Sequence, residues 1–163
     1  AGELTGKEIS EMGLLDAVCP GNYTVYNRDT CKTPEEKRKT QLQIFDSDYF
    51  LCSTNAITED GVLVNVDGTA NRVACISWGP ANVIMIVGMN KLVKSVEDAV
   101  SRARHEAAPI NAQRFGLDTP CSRTGVCADC KSPDTVCCQV LVTRYSKEKG
   151  RIKVILVNDE MGF

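Results

Sequence analysis

The sequence predicts an α/β layer fold: a mostly parallel sheet flanked by helices. Three observations carry that reading. Helical and apolar strand patterns alternate through the first two thirds of the chain, as a parallel sheet with helical crossovers requires. "NVIMIVG" (82–88) is an almost continuous apolar run closed by glycine, the pattern of a strand buried on both faces. "SVEDAVSRARHEAA" (95–108) is a helix with Ser95 as N-cap, Glu97 and Asp98 in its first turn and basic residues later.

The remaining elements follow in order. "GKEISEMGLLDAV" (6–18) sets Ile9, Met12, Leu14 and Leu15 at helical spacing, and Pro20-Gly21 ends it. "TPEEKRKTQLQIF" (33–45) opens on a capping threonine with proline in the first turn. Its "EEKRK" run reads as a solvated helix face. "DYFLCS" (48–53) reads as a short buried strand. Asp60-Gly61 divides two β-prone runs and predicts a tight turn, with Glu59 and Asp60 forming the turn itself. In the run that follows, Val62, Val64 and Val66 share one face; Leu63, Asn65 and Asp67 share the other. "RVACISWG" fits helix or strand. Pro109 is expected to end the 95–108 helix. "CQVLVTRY" (138–145) and "RIKVILVN" (151–158) read as closing strands joined by an exposed "SKEKG" turn, adding an antiparallel edge.

At 163 residues the chain suits one domain, and 43% apolar residues suffice for a core. A net charge of −2 with no basic footprint argues against nucleic-acid binding. No run reaches the roughly 18 apolar residues of a spanning helix, and the first ten residues carry no apolar signal core. The expectation is a soluble, cytoplasmic protein with no membrane partner. In that compartment thiols stay reduced, so clustered cysteines read as metal-binding or redox groups before disulfides.

Five of the nine cysteines fall between Thr119 and Cys138, in "TPCSRTGVCADCKSPDTVCC". The spacing is Cys121-x5-Cys127-x2-Cys130-x6-Cys137, with Cys138 adjacent. Four readings compete. Cys₄ ligation of an iron–sulfur cluster, [4Fe–4S] in kind, suits mixed spacing in one loop. Structural zinc usually shows two C-x2-C knuckles, where this loop has one. A Cys127/Cys130 redox pair would ordinarily sit at a strand–helix junction. Loop thiols without a shared ligand complete the set. On a strand Cys137 and Cys138 point to opposite faces, so one of them reaches the site, and Cys137 is the choice. Arg123, Lys131 and Arg144 are near enough in sequence to offset thiolate charge. Cys52 and Cys75 lie in apolar runs and read as small core residues.

Ligands of open parallel sheets bind beyond the carboxyl ends of the strands. Gly88, Asn90 and Lys91 follow such an end, where Lys91 would meet a carboxylate or phosphate as a point charge; an ordinary strand-to-helix turn with a surface lysine is the competing reading. Asn55, Asn65, Asp67, Asn71 and Arg72 form a second candidate ligand-binding group, in which Arg72 would fork onto a carboxylate. The competing reading there is a structural network with Asp67 capping backbone N–H groups. His105 reads as a surface residue. No nucleotide-binding glycine motif is present, and no catalytic residue can be assigned.

Four stretches taken together resemble a known family: "NAITEDGVLVNVDGTANRVACISWGPANVIMIVGMNKLV", "AAPINAQRF", "TPCSRTGVCADCKSP" with its following "CC", and "VILVNDEMGF". They are similar, in this order, to the LUD family, named for lactate utilisation proteins, over about residues 11–163. The resemblance implies a NagB/RpiA/CoA-transferase-like fold over a single domain, 1–163. It implies a link to lactate oxidation beside iron–sulfur or oxidase partner subunits, and leaves a homo-oligomer open. It also implies a Cys-rich metal-binding loop whose pattern falls on Cys121, Cys127, Cys130 and Cys137, with Cys138 where the family pattern has a polar residue. Family members begin with a further helix, strand and Gly-rich segment, which this chain is expected to lack. The superfamily supplies the alternatives: a non-redox acyl- or CoA-transferase- or isomerase-like enzyme, or a zinc-stapled scaffold docking onto iron–sulfur subunits.

Overall fold

The computed structural model describes Gly13, Gly21 and residues 23–163. The helix expected at 6–18 lies outside them apart from Gly13. The chain divides into two compact units. The first comprises residues 1–53, 74–89 and 146–162; the second comprises 54–73, 90–145 and Phe163. The architecture is mixed α/β, with a parallel sheet flanked by helices.

In the first unit, helix α1 (Pro34–Phe45) starts at the expected residue. Thr33 Oγ1 accepts from the Glu36 backbone N–H, and Glu36 reaches back to the Thr33 N–H, a reciprocal capping box. Residues 35–39 are exposed, as the charge run requires. Three strands, β1 (Tyr49–Cys52), β4 (Asn82–Gly88) and β7 (Ile152–Val157), form a wholly parallel sheet in the order β1-β4-β7. The central strand is the apolar one: Val83, Met85 and Val87 are fully buried. Phe50 and Cys52 of β1 are also fully buried, and removing a side chain such as Phe50 from water contributes about 1.5–3 kcal/mol.

Helix α2 (Asn71–Ser77) settles the ambiguity of "RVACISWG". Its last residues belong to this unit, with Cys75 fully buried and Gln41 Nε2 of α1 donating to the Cys75 Sγ at 3.6 Å. Buried Arg151 closes the helix: its guanidinium donates to the Cys75, Ile76 and Pro80 carbonyls at 2.8, 2.6 and 3.1 Å. A cation on the last carbonyls is favoured by charge and by hydrogen bonding. A side chain at Gly79 would meet the Cys75 Cα at 2.8 Å, so only glycine lets the chain leave the helix along this path.

The second unit holds a four-stranded sheet in the order β5-β2-β3-β6. β2 (Ala56–Thr58) and β3 (Leu63–Asp67) pair antiparallel about the expected turn, where Gly61 has φ +89° and Thr58 Oγ1 donates to Asp60 Oδ1. β5 (Leu92–Val93) runs parallel to β2, and β6 (Gln139–Thr143) antiparallel to β3. Every residue of β3 is buried. Val64 and Val66 pack with Ala99, Ala103 and Ala108.

Two expectations are corrected. The last two strands do not make a shared antiparallel edge: β6 joins β3 in the mixed sheet, while β7 joins β4 in the parallel sheet. The local pattern gave two strands but not their partners, which are set by long-range register. Nor does Pro109 end the helix. Helix α3 (Val96–Arg102), with Ser95 capping the Asp98 N–H, passes into a π-helical stretch, Ala103–Ala107, and then into α4 (Ala108–Arg114). The wider π turn just upstream relieves the clash and missing N–H that make proline a helix breaker.

Candidate functional site

The cysteine loop begins on a short helix, α5 (Pro120–Thr124). Buried Thr119 caps it, with its hydroxyl accepting from the Ser122 N–H at 3.2 Å and lying 3.3 Å from the Cys121 Sγ. Gly125 ends the helix at φ +74°. Cys121, Cys127, Cys130 and Cys137 are half-buried free thiols, whereas Cys138 is exposed. Residues 123–126, 128 and 129 around them are exposed. Cys137 packs against the Val64–Val66 core, and its Sγ lies 3.1 Å from the Thr135 hydroxyl. Among the described residues no three Cys, His, Asp or Glu side chains converge as a ready-made metal site.

What the structure does bring together is a cation and one of the thiols. Arg104, in the π-helical stretch, sends Nη2 to within 3.9 Å of the Cys127 Sγ and pairs with Asp129. Asp129, held at φ +49°, is hydrogen-bonded to the guanidinium and holds it above its ordinary range; partial burial pulls the other way, and charge on Asp129, Cys127 and Cys137 adds to the rise. Arg123 instead pairs with Asp118 at 3.0 Å, both exposed.

The second candidate group forms a connected network inside the second unit. Asp67 Oδ1 accepts from the Thr69 N–H, and its Oδ2 from the N–H groups of Arg72 and Val73 at 2.9 and 3.1 Å. The carboxylate thereby satisfies donors at the start of α2. The Arg72 guanidinium donates to the Asn65 and Asn55 side-chain oxygens at 2.9 and 2.6 Å, and to the Val66 carbonyl at 3.0 Å. Asn71 Oδ1 accepts from Thr69 Oγ1. Asn65 is fully buried, and its Nδ2 has no hydrogen-bond partner. Ala70 stands at φ +63°, a conformation that is costly for a residue with a Cβ and that concentrates at functional segments.

Lys91 is 2% exposed, not a surface lysine, and its Nζ donates to the Thr54 carbonyl at 3.2 Å. Buried Arg102 donates to the carbonyls of Asn90 and Asn55 at 3.1 and 2.5 Å. Asn90 and Arg102 line an open cavity of about 380 Å³ with Val93, Lys94, Asp98, Ser101 and Glu106. Gly88 ends β4 and is buried. His105 is exposed and bonded through Nδ1 to the Ser101 carbonyl at 3.0 Å.

A family model for the LUD domain matches residues 2–157. The chain belongs to the LUD domain family. A search of curated proteins found no match. Among solved structures, the chain is similar to a DUF162 family protein from Deinococcus radiodurans, at 14% identity and a TM-score of 0.43, covering 97% of this chain and 87% of that one.

Two residues of this LUD domain's candidate sites escaped the sequence reading. Arg104 lies seventeen positions before the first loop cysteine, on a helix pattern that gives no reason to aim one arginine at the loop. Arg102 looks like an ordinary basic residue late in a helix, yet it is buried. Its only sequence signal is the stripe of Ala99, Ala103 and Ala107, all fully buried, whose face it borders. Among the described residues of this LUD domain, no helix is long and apolar enough to cross a membrane.

Proposed function

We propose that this LUD domain is of the lactate-utilisation type, with Cys121, Cys127, Cys130 and Cys137 holding an iron–sulfur cluster, [4Fe–4S] in kind. It would act in the cytoplasm beside iron–sulfur or oxidase subunits. The observation that carries the reading lies within the loop: four half-buried thiols, of which Cys127 and Cys130 stand between exposed neighbours, with Cys138 exposed and Arg104 beside Cys127. In kind the donors fit, since sulfur alone suits a soft centre. In position the thiols stand apart, so loading the loop entails drawing its sulfurs inward. When bound, the cluster would supply one-electron transfer. Thr119 and Thr135, each with a hydroxyl against a cysteine Sγ, and Arg104 would orient the sulfurs.

The test is purification and reconstitution without oxygen, followed by iron and sulfide analysis and visible absorption. Iron and sulfide in near-equal amounts with a broad charge-transfer band are expected. A colourless, iron-free protein after reconstitution would contradict the reading, and stoichiometric zinc from metal-controlled expression would establish the stapled-scaffold alternative in its place.

A second reading, a non-redox acyl-transferase- or isomerase-like enzyme with a small-carboxylate site, draws on the cavity beside Asn90 and Arg102. Fold alone does not assign such chemistry. It predicts that carboxylates, CoA esters or sugar phosphates raise the melting temperature of a variant whose loop cysteines are all serine. An unmoved melting temperature across such a panel speaks against it.

A further inference from the structure

We propose that β6 (Gln139–Thr143) pairs with the β6 of a second copy of this chain, antiparallel about a two-fold axis through Leu141, joining two four-stranded sheets into one. The proposal stands apart from the metal-binding reading above.

Three observations point to this edge. β6 is the last strand of its sheet and pairs with β3 alone. Among the described residues, no backbone hydrogen bond from outside the sheet reaches residues 139–143. The edge is also unguarded. Its register with β3 runs unbroken through every residue, and the strand holds no charge, proline or bulge, the devices by which edge strands ordinarily resist pairing. β7, an edge of the other sheet, carries such a guard in Lys153, whose Nζ donates to Asn82 Oδ1 and the Gly150 carbonyl. Finally, the strand's valines are bare. Val140 and Val142 are 46% and 40% exposed, although Val66 and Val64 opposite them on β3 are buried. They continue the face on which Val64 and Val66 pack with Ala99, Ala103 and Ala108.

The strand is complementary to itself, which selects a second copy as the occupant. "QVLVT" reads the same in kind from either end. With Leu141 opposite the partner's Leu141, each Val140 faces a Val142 and each Gln139 a Thr143. Apolar meets apolar, polar meets polar, and no like charges oppose. Arg144, just past the strand, falls opposite the partner's Cys138. A register shifted by one residue would mismatch the two faces. The pair is isologous and consumes the edge of both copies, so assembly stops at two. A strand pair of 5 residues a side buries less than the roughly 1,000 Å² that a stable interface clears, so the dimer is a reversible one.

Sedimentation velocity of the full chain tests this, under a strong thiol reductant that keeps exposed Cys138 from cross-linking copies. Wild type is expected to pass from monomer to dimer as its concentration rises. Val140→Glu and Val142→Lys should each stay monomeric, since each sets a charge against a valine twice in the symmetric pair. Mixed in equal amounts they should dimerise. The register then sets the new carboxylate of one against the new ammonium of the other, and leaves a valine pair at the second position. Ile155→Lys, a charge on exposed β7, should dimerise as wild type does. A wild type that stays monomeric throughout, or that grows beyond dimers, overturns the proposal and leaves the edge to some other chain. So does a dimer that survives Val142→Lys, one that is lost in a folded Ile155→Lys, or a mixture of the two charged β6 variants that stays monomeric. Should a charged β6 variant fail to fold, Val142→Thr carries the test. Its dissociation constant should rise about threefold or more through two weakened valine pairs, and an unchanged constant overturns the proposal.

Discussion

Arg72 Nη2 donates to the side-chain oxygen of Asn55 at 2.6 Å, across seventeen residues of chain. The same Asn55 oxygen accepts the Val66 N–H at 2.9 Å, and Arg72 Nη1 takes Asn65. One guanidinium thus joins β3, the start of α2 and the segment leading into β2.

Arg72→Met should therefore destabilise the protein by about 2–4 kcal/mol, because it strands buried acceptors on Asn55 and Asn65. Arg72→Lys should recover little of that, since a point charge cannot reach both amides and the Val66 carbonyl. Urea unfolding checks both. A loss for Arg72→Met of under about 0.5 kcal/mol, the range of ordinary surface changes, would remove the network's structural role.

The carboxyl end of α2 makes a parallel case. Arg151→Ala withdraws the donors from three carbonyls at once, and about 3 kcal/mol should be lost, as for other buried charged hydrogen-bonding groups. Differential scanning calorimetry should show a melting temperature several degrees lower. An unchanged melting temperature would mean that solvent satisfies those carbonyls equally well.

Gly68 ties the sheet to the cysteine loop. A Cβ there would lie 3.0 Å from the Thr135 carbonyl oxygen and 3.2 Å from the Val136 Cα. Gly68→Ala should push residues 135–137 away from the end of β3, costing about 1–2 kcal/mol, as overpacking does, and weakening metal uptake through Cys137. Stability and cobalt affinity measured on the same sample separate the two effects. Full affinity in a destabilised variant would show that Cys137 does not depend on this contact.

Much of the architecture was readable before any coordinates. The capped starts at Thr33 and Ser95, the Asp60-Gly61 turn and the apolar strand at 82–88 are local signals, and each is written in a few neighbouring residues. Strand partners are not local. Nothing within 139–157 says that β6 and β7 belong to different sheets, nor that three alanines and a π turn let a helix run through Pro109. The candidate sites divide in the same way. The loop cysteines announce themselves by spacing, whereas Arg104 and Arg102 acquire their roles only through packing. Asp67 and Arg72 were legible as residue types, but their shared capping and cross-linking geometry required the fold.

Cys137 and Cys138 offer a direct discrimination. Cys137 is half-buried against the core with Thr135 at its sulfur, and Cys138 is exposed. Cys137→Ser should abolish cluster formation, and Cys138→Ser should leave iron content unchanged. The reverse result would make Cys138, just before β6, the fourth ligand in place of Cys137.

X-ray absorption at the iron and zinc edges of protein prepared without oxygen tests the central claim most directly. A sulfur shell accompanied by an iron–iron shell is the predicted result. A signal confined to zinc, or iron surrounded only by oxygen and nitrogen, would contradict it.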